Sequence, residues 1–283
     1  MQNKRINKMY YKIIAIFVLS GMILTGCASK KINRSSSIVE YLYPNNKNHV
    51  EKQSIPHLKL PLRVGIAFVP ENKRNSMTLT EVDKTKIMDT VSKNFKKLAF
   101  VQSIEVIPSV YLSKNGSFTN LEQIKKMYNV DIMVLISFDQ TQFTDQSFLS
   151  FTYWTIIGAY IIPAEKNDTH TMLDAVVYDI RSRKMLFRAP GMHKIKSRAT
   201  MTNLSEQLRE DSITGFNEAK KELIKNLDMQ LKVFKNKVKN NPNAYKIIKS
   251  KHYTGGGSID FTFILLIIFI TSIIFVKSRR KRI

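Results

Sequence analysis

Alternating and helical hydrophobic patterns follow one another through the middle of the 283-residue chain. Every second residue from Leu60 to Phe68 is apolar, which predicts a half-buried strand, and a second strand is predicted from Val101 to Ile107. The run Ile132–Ile136 is apolar throughout, as is typical of a central strand buried on both faces. Apolar residues at helical spacing separate these strands and predict the order βαβαβ; they are Ile87, Val91, Phe95 and Leu98, then Leu121, Ile124 and Tyr128.

The second half of this region continues with strands and ends in a helix. A strand is predicted from Phe148 to Ile162 around the only tryptophan, and a hairpin with a basic turn at 179–184 joins Met172–Ile180 to Met185–Arg188. A long helix begins at Asn203 and keeps a three-four apolar spacing to Val238. The fold class predicted is therefore α/β, a mixed-sheet α/β sandwich with a long C-terminal helix.

Helix starts in this domain are predicted from capping boxes, in which a Ser or Thr is followed three residues later by an acid. The boxes are Thr78–Glu81 and Thr119–Glu122, and Glu206 takes the same place after Asn203.

Polar segments without a helical or strand period flank the predicted domain, which covers residues 60–240. Residues 27–59 are predicted to be a polar tether, and residues 241–258 a linker.

The N-terminus has the pattern of a secretory signal. Four cations and no acid occupy the first twelve residues, and an apolar run too short for a spanning helix follows. Residues 1–26 are therefore predicted to be a signal peptide. The run ends at Leu24-Thr25-Gly26-Cys27, and Cys27 is the only cysteine. This resembles a bacterial lipoprotein lipobox, which implies cleavage between Gly26 and Cys27 and diacylation of Cys27. The alternative is an ordinary cysteine after an uncleaved anchor.

The C-terminus carries a glycine triplet, Gly255, Gly256 and Gly257, directly before an apolar run. Residues 259–276 are predicted to be a transmembrane helix at the short end of the usual range. A basic cytoplasmic tail at 277–283 follows, and its cations act as topology signals; they are Lys277, Arg279, Arg280, Lys281 and Arg282. The arrangement resembles the GlyGly-CTERM sorting signal, which implies cleavage near the triplet by rhombosortase, a rhomboid-type intramembrane protease. A plain C-terminal anchor with a flexible linker is the alternative.

The two terminal signals together resemble the rhombotarget lipoproteins of Gram-negative bacteria. Within the middle, the segment Leu173–Phe187 and the phrase Val130-Asp131-Ile132-Met133 distantly resemble envelope lipoproteins of the CsgG, TolB N-terminal and penicillin-binding-protein-activator type. This second resemblance concerns the fold and implies no activity.

Residues suited to catalysis form no recognisable motif, so we predict no enzyme activity, no cofactor and no metal site. None of the five histidines has a helical i, i+4 partner, and neither a Gly-x-Ser-x-Gly elbow nor a phosphate-binding glycine loop occurs. Five carboxylates could meet near a sheet end but are equally explained by turns; they are Asp139, Asp145, Asp168, Asp174 and Asp179.

The net charge of +23 falls to +15 when nine terminal cations and Asp260 are set aside. Because this remainder belongs to an exported domain, it favours anionic envelope components over nucleic acid, although generic solubility charge explains it as well. Candidate contacts lie on the last helix; they are Lys220, Lys221, Lys225, Lys232, Lys235, Lys237 and Lys239.

Two functions follow from these expectations, and a hydrolase with an unrecognised site is a third alternative. The first is a non-catalytic envelope lipoprotein with an interaction domain, released at its C-terminus and held by its lipid. Because Ala28 and Ser29, and not an aspartate, directly follow Cys27, it is expected in the outer membrane or at the surface. The alternative is a permanently doubly anchored scaffold or activator of a cell-wall enzyme.

Overall fold

In a computed structural model of the protein, residues 29–44, 54–71, 79–146 and 160–251 are described, together with Lys12, Ile14 and Tyr253. In chain order the strands are β1 (Ser29–Ser35), β2 (His57–Leu60), β3 (Leu62–Phe68), β4 (Val101–Val106), β5 (Ile132–Gln146), β6 (Glu165–Asp179), β7 (Lys184–Ala199) and β8 (Lys246–Lys249). The α-helices are α1 (Ile38–Leu42), α2 (Glu81–Phe95), α3 (Ser117–Tyr128) and α4 (Leu204–Asn240).

A mixed sheet in the order β4-β3-β5-β6-β7 organises the fold, with β5 at its centre. One edge of β5 pairs with β6 along its whole length, in antiparallel sense. The other edge is divided, because β3 pairs in parallel with residues 132–136 and β1 pairs in antiparallel sense with residues 139–145. This confirms the predicted order of β3, β4 and β5, the central place of β5 and the β6–β7 hairpin, and β3 is found to be parallel to both β4 and β5.

Successive side chains of a strand point to opposite faces of the sheet, and in these strands both faces carry apolar residues. Helices therefore cover both faces. On one face, Met133 and Leu135 of β5 pack with buried residues of α1 and α3. On the other face, Ile136 and Phe138 pack with α2 and with the apolar stripe of α4, where Leu223 is fully buried. The predicted mixed α/β class and the long C-terminal helix are thus confirmed.

The predicted tether is corrected for two segments that the structure folds into the domain. Ser29–Ser35 form β1, and Ile38–Leu42 form α1 with Ile38, Tyr41 and Leu42 buried. Their local sequence lacks a clear period because β1 is stabilised by backbone pairing with β5 and buries the polar Arg34, not an apolar stripe.

A second correction concerns the strand expected from Leu60 to Phe68 and the linker over 241–258. Pro61 separates β2 from β3, and β2 pairs in parallel with β8 in a two-stranded ribbon of its own. Lys246–Lys249, expected within the linker, therefore belong to the folded domain.

Helix starts differ from two of the three predicted capping boxes. Thr80 is the N-cap of α2 and accepts a hydrogen bond from the Asp83 backbone at 3.2 Å, so the box begins two residues after Thr78. Helix α3 already starts at Ser117, after Gly116, and Thr119 lies within it. Asn203 does precede α4, but its side chain accepts from Thr200 and makes no bond to the helix.

The predicted strand over 148–162 lies mostly outside the described residues. At its end Tyr160 and Ile161 are helical and exposed, so no strand extends to Ile162. The signal peptide, apart from Lys12 and Ile14, and the segment 259–276 are also outside. Within the part that is described, no helix is long and apolar enough to cross a membrane.

Candidate binding cavity

The site residues predicted from sequence all lie outside the described residues. They are Gly26 and Cys27, the triplet Gly255, Gly256 and Gly257, and the tail cations Lys277, Arg279, Arg280, Lys281 and Arg282. The folded domain nevertheless reaches close to both signals, because β1 begins two residues after Cys27 and Tyr253 lies two residues before Gly255.

An apolar cavity of about 420 Å³ lies on the α2 and α4 face of the sheet. Its floor consists of side chains from adjacent strands, including Val64 of β3, Ile104 of β4 and Ile132 and Val134 of β5. These residues have the same strand parity, so they project to one face of the sheet.

Helices and the β2–β8 ribbon form the walls. Val91 and Phe95 line the cavity from α2, and Leu231 lines it from α4. The ribbon contributes Leu58, which is 5% exposed, and Ile247, which is 44% exposed. Buried residues therefore close the cavity on the sheet side, whereas Ile247 and Lys235 at its border are exposed.

An aromatic cluster packs the last turns of α4 against β7 and against Tyr245, the residue before β8. Phe234 contacts Phe187 of β7 with ring centroids 5.3 Å apart, and Tyr245 with centroids 5.6 Å apart. Such contacts are favourable beyond the area they bury. They help to hold α4 in the position in which Leu231 and Lys235 border the cavity.

Polar side chains are scarce in the cavity lining: of the described residues that form it, only Ser92, Lys235 and Tyr253 carry polar groups. Ser92 is 8% exposed, and its hydroxyl has no hydrogen-bond partner among the described residues. The Lys235 ammonium lies 4.3 Å from the centre of the Phe100 ring, which is a cation–π contact. The lining thus combines apolar walls with one cation.

The α4 cations predicted to contact anions are placed as expected, off the apolar face. All are exposed except Lys220, which is half-buried. Two of them form ion pairs within the helix, Lys221 with Glu218 at 2.5 Å and Lys232 with Asp228 at 2.7 Å. Lys235 differs because it borders the cavity.

Sequence reasoning did not find this cavity. The clearest sign of the cavity in the sequence is the presence of apolar residues outside the helices and strands that bury them. Leu98 was expected on a helix face, but α2 ends at Phe95 and Leu98 lines the cavity instead. Leu58 was expected in the polar tether and Leu60 in the first strand, and both line the cavity from β2.

A buried polar layer lies farther along the same face, between the ends of β5 and β6 and the first turns of α4. Arg34 donates to the side-chain oxygens of Gln140 and Gln142, at 3.3 Å in each case, and Gln142 donates to the Leu208 carbonyl at 2.8 Å. Burial lowers the pKa of the Arg34 guanidinium. The Arg34 Nε has no hydrogen-bond partner among the described residues, but the two glutamines tie Arg34 to α4, so the layer contributes to the packing of α4 on the sheet.

The five candidate carboxylates do not converge. Asp174 pairs with Arg188 at 2.7 Å, and Asp168 pairs with Lys194 at 3.4 Å. Asp179 accepts from the backbone of His57 and Ser182 at 3.1 and 3.2 Å, which fixes the hairpin turn to β2. Asp139 and Asp145 lie on β5 opposite β1.

Histidines and acids form no metal-binding cluster of three or more groups within the described ranges. His170 packs its ring edge-to-face with Phe143 at 5.9 Å, and the His57 backbone donates to Asp179.

The fold is thus that of a mixed α/β protein with helices on both faces of its sheet. No profile of a known protein family matches the chain, and no curated protein matches it. Among solved structures it is similar to a chain described as a PelC dodecamer from Paraburkholderia phytofirmans, in a variant with one substitution. The identity is 10% and the TM-score 0.31, over 71% of this chain and 96% of that one.

Proposed function

We propose that this chain is a non-catalytic lipoprotein of a Gram-negative cell envelope, with an interaction domain between two processing signals. After cleavage between Gly26 and Cys27, lipid on Cys27 anchors the protein, and a rhombosortase-type protease releases its C-terminus near Gly255–Gly257. In the precursor, residues 259–276 form a transmembrane helix in the inner membrane. The mature protein is held by lipid in the outer membrane or at the surface.

The observation that carries this proposal is the position of the two signals relative to the folded domain. Strand β1 starts at Ser29, and the ribbon ends at Lys249, where Ser250 donates to the Leu60 carbonyl at 2.9 Å. Both signals lie just beyond these ends. A protease needs an extended segment, and the glycines next to the predicted membrane helix favour one.

The interaction role rests on surface charge and on the dispersed acids. The exposed α4 lysines provide a positive face toward anionic lipid or cell-wall groups, whereas export makes nucleic acid an unsuitable partner. Three of the candidate carboxylates have separate partners, Asp174 and Asp168 in ion pairs and Asp179 in the hairpin turn.

The alternative, a permanently doubly anchored scaffold or activator of a cell-wall enzyme, is favoured by one observation. Ser29 pairs with Asp145 at the far end of β5, whereas β2 and β8 lie beside the hairpin turn at its near end. Thirteen residues of β5 separate Ile132 from Asp145, or roughly 43 Å at about 3.3 Å per residue. Attachment points at opposite ends suit a bridging protein.

Intact mass of the protein extracted from membranes distinguishes the two functions. The proposed function predicts a mature species that lacks residues 261–283 and carries acyl chains on Cys27. A mature species that keeps those residues contradicts C-terminal sorting and favours the doubly anchored scaffold.

Two variants test the signals separately. Cys27→Ser should abolish incorporation of labelled palmitate. Replacement of Gly255, Gly256 and Gly257 by leucine should stop C-terminal processing, with Ser258→Leu as the neighbouring control. If the triple variant is processed like the unaltered protein, the cleavage site lies elsewhere.

A further inference from the structure

The cavity under the β2–β8 ribbon has the size and lining of a ligand site, and nothing in the proposed processing uses it. Its volume of about 420 Å³ lies within the range of about 300–1,000 Å³ found for small-molecule pockets. Its apolar walls offer no partners to hold water.

The polar groups of the lining indicate which chemistry the ligand has. Within the described part of the chain, Lys235 is the only charged side chain that borders the cavity, and no acid does. Its contact with Phe100 keeps the ammonium at the cavity border, where it can meet an anion. Ser92 and Tyr253 are the other two polar side chains of the lining, and both are uncharged.

Two parts of this chain are apolar enough to compete for the space, and both are expected elsewhere. Residues 261–276 are predicted to span the bilayer as a helix, so their apolar surface is covered by lipid. Lipid on Cys27 would start near Ser29, which pairs with Asp145. Asp145 lies eleven residues along β5 from Val134, or roughly 36 Å.

We propose that the cavity binds one hydrocarbon chain of a single-chain anionic lipid, of which a long-chain fatty acid is the simplest. The aliphatic chain lies among the residues of β3, β5, α2 and α4, and the carboxylate lies at Lys235. The single cation selects a single anionic group. This binding is independent of lipidation at Cys27 and of processing at the glycine triplet.

Photo-crosslinking tests the site. The full-length protein in nanodiscs of zwitterionic lipid is irradiated with a diazirine-labelled C16 fatty acid, and the crosslinked peptides are identified by mass spectrometry. We expect saturable labelling of peptides from α2, α4 and the β2–β8 ribbon, competed by unlabelled palmitate. Absence of saturable labelling, or labelling confined to 261–276, would overturn the proposal.

A pair of tryptophan variants on α4 tests whether the cavity itself is the binding space. Leu231 lines the cavity, whereas Val233 on the same helix is 55% exposed. Leu231→Trp should reduce labelling at least about tenfold, because the larger side chain takes the space of several methylene groups of the ligand and each buried methylene changes affinity severalfold. Val233→Trp should leave labelling unchanged. Equal labelling in the two variants, at equal urea midpoints, contradicts the assignment. If Leu231→Trp fails to fold, the crosslinked peptides of the unaltered protein decide the question.

A lysine pair tests the headgroup. Lys235→Gln should weaken binding of the fatty acid by about three- to tenfold through loss of a charge-assisted contact, and binding of the C16 alcohol should not change. Lys237→Gln, on the same exposed turn, should affect neither ligand. Equal losses for acid and alcohol in Lys235→Gln would show that the carboxylate does not bind there.

Discussion

Glu81 shows how one side chain at a helix start ties together two parts of the domain. Its carboxylate accepts from the hydroxyl and the backbone of Ser109 and pairs with Lys84 at 3.0 Å. Burial of Glu81 raises its pKa, but the bonds from Ser109 and the charge of Lys84 outweigh this, so its pKa lies below the usual value. The ionised form is therefore favoured in the folded state.

We predict a pH-dependent stability contribution from this contact. Because the pKa is lower in the folded state, the contribution is complete above about pH 4.5, the range of a free glutamate, and is lost as the pH falls through the folded pKa. Ser109→Ala should lower the urea midpoint at pH 7 and have a smaller effect at pH 3. A difference from the unaltered protein that stays constant between pH 7 and pH 3 would contradict this explanation.

Gly191 is a second residue whose identity is set by one contact. It lies in β7 directly beneath α4, and a Cβ atom there would meet the Ala219 carbonyl and the backbone of Leu223, whose Cα would be 2.8 Å away. All three are backbone atoms, so no side-chain rotation can relieve the overlap.

Gly191→Ala should therefore destabilise the domain by at least about 1–3 kcal/mol, the usual cost of overpacking. Met192→Ala is the control because Met192 is the next residue and is 56% exposed, and a change within about 0.5 kcal/mol is expected there. Urea unfolding followed by circular dichroism measures both. Equal stability of the two variants would mean that α4 can move away from β7 without a loss of free energy of unfolding.

At the scale of the element, α4 is held by one apolar stripe along a helix that is otherwise charged. Phe216, Ala219, Leu223 and Leu227 are buried in the core between the helix and the sheet. The opposite side carries the exposed lysines and their ion pairs, which contribute little in water. The stability of the helix thus comes mainly from its packing.

A matched pair of substitutions on α4 measures this asymmetry. Leu223 is fully buried, and Leu223→Ala should cost about 2–5 kcal/mol through lost burial and the cavity left behind. Met229 is 51% exposed, and Met229→Ala should change the free energy of unfolding by less than about 0.5 kcal/mol. Similar losses would contradict the assignment of one packing face.

At the scale of the whole molecule, the position of the two ends on the sheet constrains how the domain meets a membrane. In the proposed precursor, lipid near Ser29 and a helix after Tyr253 attach the domain at opposite ends of β5. If both attach to one membrane, β5 lies along its surface. Removal of the C-terminal helix leaves the Ser29 end alone attached, which frees the hairpin turn to move away.

A fluorescent label reports this change, because lipid on Cys27 leaves an introduced cysteine as the only free thiol. A label at Arg181→Cys, in the exposed β6–β7 turn, should be quenched by lipid-borne quenchers in the unprocessed triple-leucine variant and less in the processed protein. A label at Asp145→Cys, at the Ser29 end, should be quenched in both. Unchanged quenching at position 181 would show that processing does not reorient the domain.

The order of the main elements could be predicted from sequence because it depends on local periodicity. The apolar run Ile132–Ile136 indicated a central strand, and the spacing up to Val238 indicated a long helix; both are present. Helix starts were less accurate, since Thr119 satisfied a capping pattern but lies inside α3. A cap depends on backbone geometry as well as on residue type.

The candidate cavity could not be predicted because its lining comes from distant segments. Leu58, Val91, Ile132 and Leu231 are separated by tens of residues, and only packing of the sheet, α2, α4 and the ribbon brings them together. Strand β1 was missed for the same reason, since Arg34 meets Gln140 across a separation of 106 residues.

The sequence by itself determined the predicted signals at both ends and the alternation of strands and helices, because each depends on residues close together in the chain. The tertiary structure alone decided that β1 completes the edge of β5, that β8 pairs with β2, and that an apolar cavity with one cation remains between the sheet, its helices and the ribbon. These features depend on backbone pairing and on how volumes fit, and neither is encoded in a local pattern.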